Sequence, residues 1–265
     1  MATNQASNAA TPPEETDIHM RTAPRVRFNQ QLGLLLALIL LSAVLSLLAP
    51  NFLTAGNIVN VLRQMSMIAI IAVGMTMVIT AGEIDLSAGS LVAFSGVFLA
   101  TLAISWGWPL WLSLLATLLL GSAVGAFIGA IRVTFRIPSF IITLGLLTAL
   151  RSGAFVLCNG FPISPFPAAF NWLGAGFIGP IPVPVVIMIL TYVIGYVAFN
   201  HTPWGRAVYA VGGNEEASRL SGINTKAIKI SVFMVTSTLA ALAGSILASR
   251  LDSARRLWQP AGSWT

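Results

Sequence analysis

Charged residues are scarce in this chain. Only 8% of its 265 residues are Asp, Glu, Lys or Arg, whereas 56% are hydrophobic, and the mean hydropathy is +0.86. A soluble domain carries about 25% charged residues, so this composition excludes a soluble enzyme or binding domain. Together with long apolar runs, the shortage of charge predicts an integral membrane protein.

Residues that build reactive sites are also few. The single cysteine, Cys158, lies in an apolar run, which excludes a disulfide framework and indicates a small core residue. His19 and His201 are too far apart in sequence to form a local metal motif. There is no nucleophile–base pair, no Walker-type glycine loop and no basic patch with interleaved aromatics. We therefore expect no catalytic residue, metal, cofactor or nucleic-acid partner, and any nucleotide that supplies energy must bind another chain.

Long apolar runs predict an all-α, polytopic transmembrane bundle with about seven spans. A separate interfacial helix, capped by Asn57, is predicted between the first two spans. A loop rich in Gly, Pro and aromatics, with room for a short helix, is expected at residues 159–184. The predicted spans cover about residues 32–49, 65–81, 90–104, 110–131, 138–157, 185–199 and 227–248.

Basic residues predict how these spans are oriented. The net charge is +6, and by the positive-inside rule such an excess marks cytoplasmic loops. Arg21, Arg25 and Arg27 precede the first span and hold the N-terminus in the cytoplasm. Four crossings then place the basic residues at 132–136 inside, and two more place the polar stretch 204–229 inside. The crossing count and the basic loops therefore agree.

The polar stretch between the sixth and seventh spans contains the signals of a short helix. Asn214 suits the N-cap, and Glu215 and Glu216 occupy the first turn, where the helix dipole favours negative charge. Arg219 is spaced to pair with Glu215, and Gly222 suits the C-terminal stop. We interpret this capped helix as a docking surface for a soluble partner; a solvated loop with a chance cap is the alternative.

The polar stretch between the second and third spans holds the only acids between Asp17 and Glu215. Glu83 and Asp85 are costly to expose to lipid, so this stretch is either a surface loop or a helix break that lines a cavity. Asp85 is placed to cap a helix beginning near Leu86. Capping and direct contact with a polar substrate both remain open, and the candidates for a pathway or helix break are Glu83, Asp85 and Ser87.

Two spans carry small residues at every fourth position, which permits close approach of helix backbones. Arg151 is a charged residue that interrupts the fifth apolar run. Three placements remain open for it: the helix end, the membrane interface and the bundle interior. The two sets of predicted packing residues are Gly121, Gly125 and Gly129 in the fourth span and Ala240, Gly244 and Ala248 in the seventh.

Three blocks resemble the membrane-spanning permease subunit of bacterial ABC importers for sugars of the ribose, xylose and arabinose type. The similarity covers the chain from about Leu34 to Asp252. The first two blocks are GMTMVITAGEIDLSAGSLVAFSG (74–96) and RIPSFIITLGLLTALRSGAFVLCNGFPI (136–163). The third block spans residues 205–230 and includes VGGNEEASRLSGINTKAIKI (211–230).

The resemblance implies a fold of the larger importer type in the bacterial inner membrane. Two permease copies would surround a central path, two ATP-binding subunits would dock in the cytoplasm, and a periplasmic sugar-binding protein would deliver a monosaccharide. The third block is similar to the family's segment that couples to the ATPase. Its coupling residues would be Gly213, Asn214, Glu215, Glu216, Ala217, Arg219 and Gly222.

On this basis we expect a disordered cytoplasmic tail at 1–30 and a permease domain at 31–252, with the coupling segment at 203–226. Residues 253–265 look atypical for the family, and an odd number of spans leaves basic residues outside, so a C-terminal truncation is expected. The alternatives are a permease for branched-chain amino acids or nucleosides and an ion-driven secondary transporter. An enzyme embedded in the membrane lacks candidate catalytic residues.

Overall fold

The structure is a computed structural model that describes residues 26–161 and 163–258. Its helices confirm the predicted all-α, polytopic class. The chain divides into two units, one ending at Leu53 and the other beginning at Thr54. In its described part the first unit contains α1 (Val26–Leu48), whose apolar segment is Leu32–Leu48. Within the described residues, six helices of the second unit are long and apolar enough to cross a membrane.

The second unit alternates long apolar helices with short connecting elements. The helix α3 continues into a π-helical turn at Thr101–Ser105. The antiparallel pair β1 (Phe177–Ile178) and β2 (Ile181–Pro182) follows α6. The helices are α2 (Ala55–Thr80), α3 (Ala88–Ala100), α4 (Leu110–Phe135), α5 (Ser139–Leu157), α6 (Ala168–Ala175), α7 (Val183–His201), α8 (Pro203–Gly213), α9 (Glu215–Leu220) and α10 (Thr225–Trp258).

The separate interfacial helix predicted between the first two spans is wrong. The segment contains no proline, and α2 runs without interruption through it from Ala55 to Thr80. Asn57 is not the cap: Thr54 occupies that position, and its side chain accepts a hydrogen bond from the backbone N–H of Asn57 at 3.4 Å.

Two predicted boundaries fall inside helices. The helix α1 begins at Val26, within the tail predicted at 1–30, and residues 1–25 of that tail lie outside the described residues. The helix α10 continues to Trp258, beyond the predicted boundary at 252, and residues 259–265 lie outside the described residues.

The helix α10 is the centre of the second unit, and the glycines of α4 lie against it. A Cβ added at Gly121 would lie 2.7 Å from the Ser237 carbonyl oxygen, and one added at Gly129 would lie 2.6 Å from the Ile230 Cα. Between them, a Cβ at Gly125 would collide with the Phe233 carbonyl. The two helices are therefore antiparallel and in contact through their backbones.

The small residues of α10 contact other helices. A Cβ at Gly244 would collide with the Val92 carbonyl of α3, and the methyl of Ala248 is 3.5 Å from the Cβ position of Gly96. Ala240 lies in a buried cluster with Leu91 of α3 and Leu150 of α5. α10 thus packs between α3 and α4.

The bundle has two distinct ends. At the α6 end, the Gly174 N–H donates to the Ser249 hydroxyl at 2.8 Å, and this hydroxyl donates to the Phe170 carbonyl at 2.5 Å. At the α9 end, a buried cluster joins α2, α4, α7, α8 and α10 through residues that include Met77, Phe199 and Val208. The polar stretches around Glu83 and Glu215 also lie at the α9 end.

Candidate functional site

The helix predicted after Asn214 is present as α9, and both of its ends are closed. The Asn214 side chain accepts a hydrogen bond from the Ala217 N–H at 2.9 Å, which satisfies a free donor of the first turn. At the other end Gly222 has a φ of +85°, and the N–H groups of Gly222 and Ile223 donate to the carbonyls of Arg219 (3.1 Å) and Ser218 (3.0 Å). These two bonds form a Schellman motif, so α9 is a defined helix despite its short length.

A second helix, α8, precedes α9 and was not predicted. Its start carries a recognisable signal, because the Thr202 side chain accepts from the Gly205 N–H at 3.2 Å and Pro203 stands at the first helical position. Val208 and Val211 are buried, and the Trp204 indole N–H donates to the Ser231 hydroxyl of α10 at 2.8 Å. The polar stretch between α7 and α10 therefore contains two helices, α8 and α9, and α8 is held against the bundle.

The predicted pairing of Arg219 with Glu215 is wrong. Arg219 instead pairs with Glu216, with its Nη2 2.5 Å and its Nε 3.2 Å from the two carboxylate oxygens. Both side chains are about two-thirds exposed, at 63% and 67%. Glu215 points toward α10, where Lys229 binds it at 2.6 Å. The competing cation comes from the next helix, which the local spacing rule does not consider.

Four charged side chains meet at the α9 end and form a continuous series, called here the ion-pair chain. Glu215 of α9 contacts Lys229 of α10 at 2.6 Å. Lys229 also contacts Glu83 of the α2–α3 turn at 2.8 Å. Both carboxylate oxygens of Glu83 accept from the Arg132 Nε at 3.0 Å. The side chains of Lys229 and Glu83 are only 4% and 3% exposed, so the middle of the ion-pair chain is shielded from water.

The surroundings of Glu83 favour its charged form. Burial alone raises the pKa of this carboxyl, but hydrogen bonds from Arg132, Lys229 and Ser139, together with the positive charge of Lys229, outweigh burial and hold the pKa below its usual value. Glu83 is therefore an ionised carboxylate at neutral pH. Sequence reasoning had singled out neither Arg132 nor Lys229 as a partner for this acid.

Asp85 and Ser87 hold the turn that leads into α3. One Asp85 carboxylate oxygen accepts from the Ser87 N–H at 2.8 Å and from the Ser87 hydroxyl at 2.6 Å. The helix begins at Ala88, two residues after the predicted start near Leu86. Burial raises the pKa of Asp85, and hydrogen bonds from Ser87 and the Ala88 backbone only partly oppose this effect.

Two cavities flank α3. One, of about 460 Å³, is bordered by α3, α10 and residues between 158 and 166 that include Cys158, Phe161 and Phe166. The other, of about 490 Å³, lies between α3 and α5 and is bordered by Arg151. Arg151 is exposed and lies within α5 rather than at its end. Cys158, expected in the core, is half-buried and borders both cavities. Across the described residues, no group of three or more His, Cys, Asp or Glu side chains is placed to hold a metal ion.

Comparisons with known proteins find one family and many relatives. Residues 57–259 match the family described as the branched-chain amino acid transport system / permease component. The ribose import permease protein RbsC of Haemophilus influenzae is 43% identical over 224 residues, covering 83% of this chain and 69% of that protein. The L-arabinose ABC transporter permease protein AraH of Azospirillum brasilense is 38% identical over 220 residues, covering 83% and 65%.

A third relative, the xylose transport system permease protein XylH of Escherichia coli, is 33% identical over 263 residues, covering 76% of this chain and 67% of that protein. No solved structure matches the chain.

Proposed function

Because this chain belongs to the family of branched-chain amino acid transport system / permease components, we propose that it is the membrane-spanning subunit of an ABC importer that moves a monosaccharide across the bacterial inner membrane. Relatives covering most of the chain are named for ribose, arabinose and xylose. All three are five-carbon sugars, which favours a substrate of that class. A separate ATP-binding subunit supplies the energy.

The observation that carries the proposal is the exposed, capped helix α9, joined to three other elements by the ion-pair chain. Most side chains of α9 face solvent, including Leu220, which is 76% exposed. An exposed apolar side chain beside the Glu216–Arg219 pair suits a protein partner. We assign the ATP-binding subunit to this docking surface, whose residues are Gly213, Asn214, Glu215, Glu216, Ala217, Arg219, Leu220 and Gly222.

The same assignment orients the molecule. The α9 end lies in the cytoplasm, and the α6 end faces the periplasm, where a sugar-binding protein delivers the substrate. A cytoplasmic N-terminus is proposed separately, from the positive-inside rule alone. Two copies of the chain surround the path, with one ATP-binding subunit docked on each. Glu83, Asp85 and Ser87 hold the break between α2 and α3 at the cytoplasmic end.

The proposal is tested with the full chain reconstituted in liposomes together with the ATP-binding subunit and the sugar-binding protein. We expect uptake of labelled ribose, arabinose or xylose that requires ATP and the binding protein. Uptake of leucine or of a nucleoside instead of a sugar would assign the chain to another substrate class of the same family. Uptake that follows a proton or sodium gradient without ATP would overturn the proposal.

A further inference from the structure

We propose that the ion-pair chain is the mechanical link through which α9 moves the membrane spans, with Lys229 and Glu83 as positioning residues for transport. The inference rests on the proposed function, because it takes α9 as the surface on which the ATP-binding subunit docks. It concerns a step after docking: how a displacement of α9 reaches helices that the partner does not touch.

Side chains connect elements here that are distant along the chain. Glu215 is the first residue of α9, and Lys229 stands in the second turn of α10. Glu83 lies in the α2–α3 turn, and Arg132 lies in the last turn of α4. Glu83 and Arg132 are 49 residues apart in sequence. The ion-pair chain therefore attaches α9 directly to α10, and through Lys229 and Glu83 to the α2–α3 turn and to α4.

The central position of Lys229 makes this attachment difficult to loosen. Its ammonium group bridges two carboxylates, at 2.6 Å to Glu215 and 2.8 Å to Glu83. If α9 moved alone, Lys229 would lose one partner while remaining buried. Glu215 is 50% exposed and would return to water, but Lys229 is only 4% exposed and would keep Glu83 as its single carboxylate. Loss of a partner costs a buried ammonium more than an exposed one, so a movement of α9 carries the first turns of α10 with it.

The Glu216–Arg219 pair differs from the ion-pair chain because it does not connect α9 to another helix. Both residues belong to α9 and both are largely exposed, so their pairing stiffens that helix and connects it to nothing else. Glu215, one residue earlier, instead contacts the buried Lys229 of α10.

From Lys229 the displacement travels along α10. Thr236 of α10 donates to the Gly74 carbonyl of α2 at 2.9 Å, and the glycines of α4 lie against the preceding and following turns. Ser249 then contacts α6 at the opposite end. Lys229 and Ser249 are 20 residues apart, which corresponds to about 30 Å of α-helix. A single stiff helix thus joins the docking end to the substrate-facing end.

The test compares two lysines of α10. Lys229→Gln breaks the ion-pair chain. Lys226→Gln is the control, because Lys226 is exposed and its replacement removes the same charge only three residues away along α10. Each full chain is reconstituted with its ATP-binding subunit and binding protein, and three quantities are measured: copurification of the ATP-binding subunit, ATP hydrolysis, and sugar uptake per ATP hydrolysed. We expect Lys229→Gln to copurify normally and to lose uptake per ATP by at least about fivefold, while Lys226→Gln matches wild type.

Further variants separate coupling from folding. Lys229→Arg keeps a cation between the two carboxylates and is expected to restore most of the uptake per ATP. If Lys229→Gln does not yield a folded protein, Glu215→Gln decides the question, because Glu215 is half-exposed and its loss leaves the Glu83–Lys229 pair intact. The inference would be overturned if Lys229→Gln, or Glu215→Gln where Lys229→Gln does not fold, showed the same uptake per ATP as wild type. Absence of ATP-dependent uptake in the wild-type protein would instead overturn the proposed function.

Discussion

Gly125 of α4 lies so close to Phe233 of α10 that a methyl group in place of its hydrogen would collide with the Phe233 carbonyl. Its contacts there are with backbone atoms, which cannot rotate aside. Gly145 of α5 offers a matched control, because a Cβ at that position meets nothing within 4 Å.

We expect Gly125→Ala to destabilise the protein by about 1–3 kcal/mol, the usual cost of overfilling a packed interface. Gly145→Ala should be neutral or stabilising by up to about 1 kcal/mol, because alanine favours helix. Thermal unfolding in detergent measures both. Equal unfolding midpoints for the two variants would contradict the close α4–α10 packing.

The cap of α9 gives a local prediction. Asn214→Ala removes the acceptor of the Ala217 N–H, at a cost of about 0.5–2 kcal/mol to the helix. We expect faster hydrogen exchange at the α9 amides and weaker copurification of the ATP-binding subunit, while Asn214→Asp retains both properties. Unchanged exchange in Asn214→Ala would show that the bundle, rather than the cap, maintains α9.

Glu83 predicts a pH dependence with a defined sign. Its pKa is lower in the folded state, so its contribution to stability is present above the pKa of the unfolded chain, about 4.3, and is lost as the pH falls through the folded value. Glu83→Gln leaves Lys229 with Glu215 as its remaining carboxylate, so we expect a loss of up to about 3 kcal/mol at neutral pH, the lower end of the range for an uncompensated buried charge. This difference from wild type should shrink as the pH falls below about 4. A difference that stays constant with pH would contradict the ionised pair.

For Asp85 we expect the opposite dependence of stability on pH. Its pKa is raised in the folded state, so its contribution is present below the unfolded pKa, about 3.9, and declines as the pH rises through the folded value. Asp85→Asn retains an oxygen for the Ser87 bonds. Relative to wild type, the stability of this variant should therefore improve as the pH rises. A flat difference across the acidic and neutral range would show that burial has no effect on this carboxyl.

The single cysteine allows a test of orientation. Cys158 follows α5 at the end opposite Ser139, and Ser139 contacts the α2–α3 turn. A membrane-impermeant thiol reagent should therefore modify Cys158 from the periplasmic side. In a Cys158→Ser background, Gly213→Cys, which has open space around its Cβ position, should react from the cytoplasmic side and be protected by the ATP-binding subunit. The reverse pattern of labelling would invert the proposed topology.

Much of the fold follows from local signals in the sequence. Hydropathy locates the spans because lipid requires long apolar helices, and Asn214 and Gly222 mark the ends of α9 because caps are local. The three sequence blocks predicted the resemblance to sugar permeases, and relatives covering most of the chain confirm it. The assignments of the coupling residues and domain limits stay predictions.

The sequence does not predict the partners of the charges. Glu215 has a local candidate in Arg219 but binds Lys229, which becomes its neighbour only when α10 folds back against α9. Glu83 has no basic residue nearby in sequence and meets Arg132 through the packing of α4. The crossing count predicts that Arg132, Glu215 and Lys229 lie on one side of the membrane, which reduces the number of possible pairs, but the pairing itself depends on helix rotation.

The ion-pair chain has an electrical consequence. It contains two carboxylates and two cations, so it carries no net charge when it moves as a unit. A single unpaired charge that crosses the whole membrane field does work of about 2.3 kcal/mol for every 100 mV. Because the charges of the ion-pair chain cancel, the membrane voltage does no net work on these four side chains when they move together.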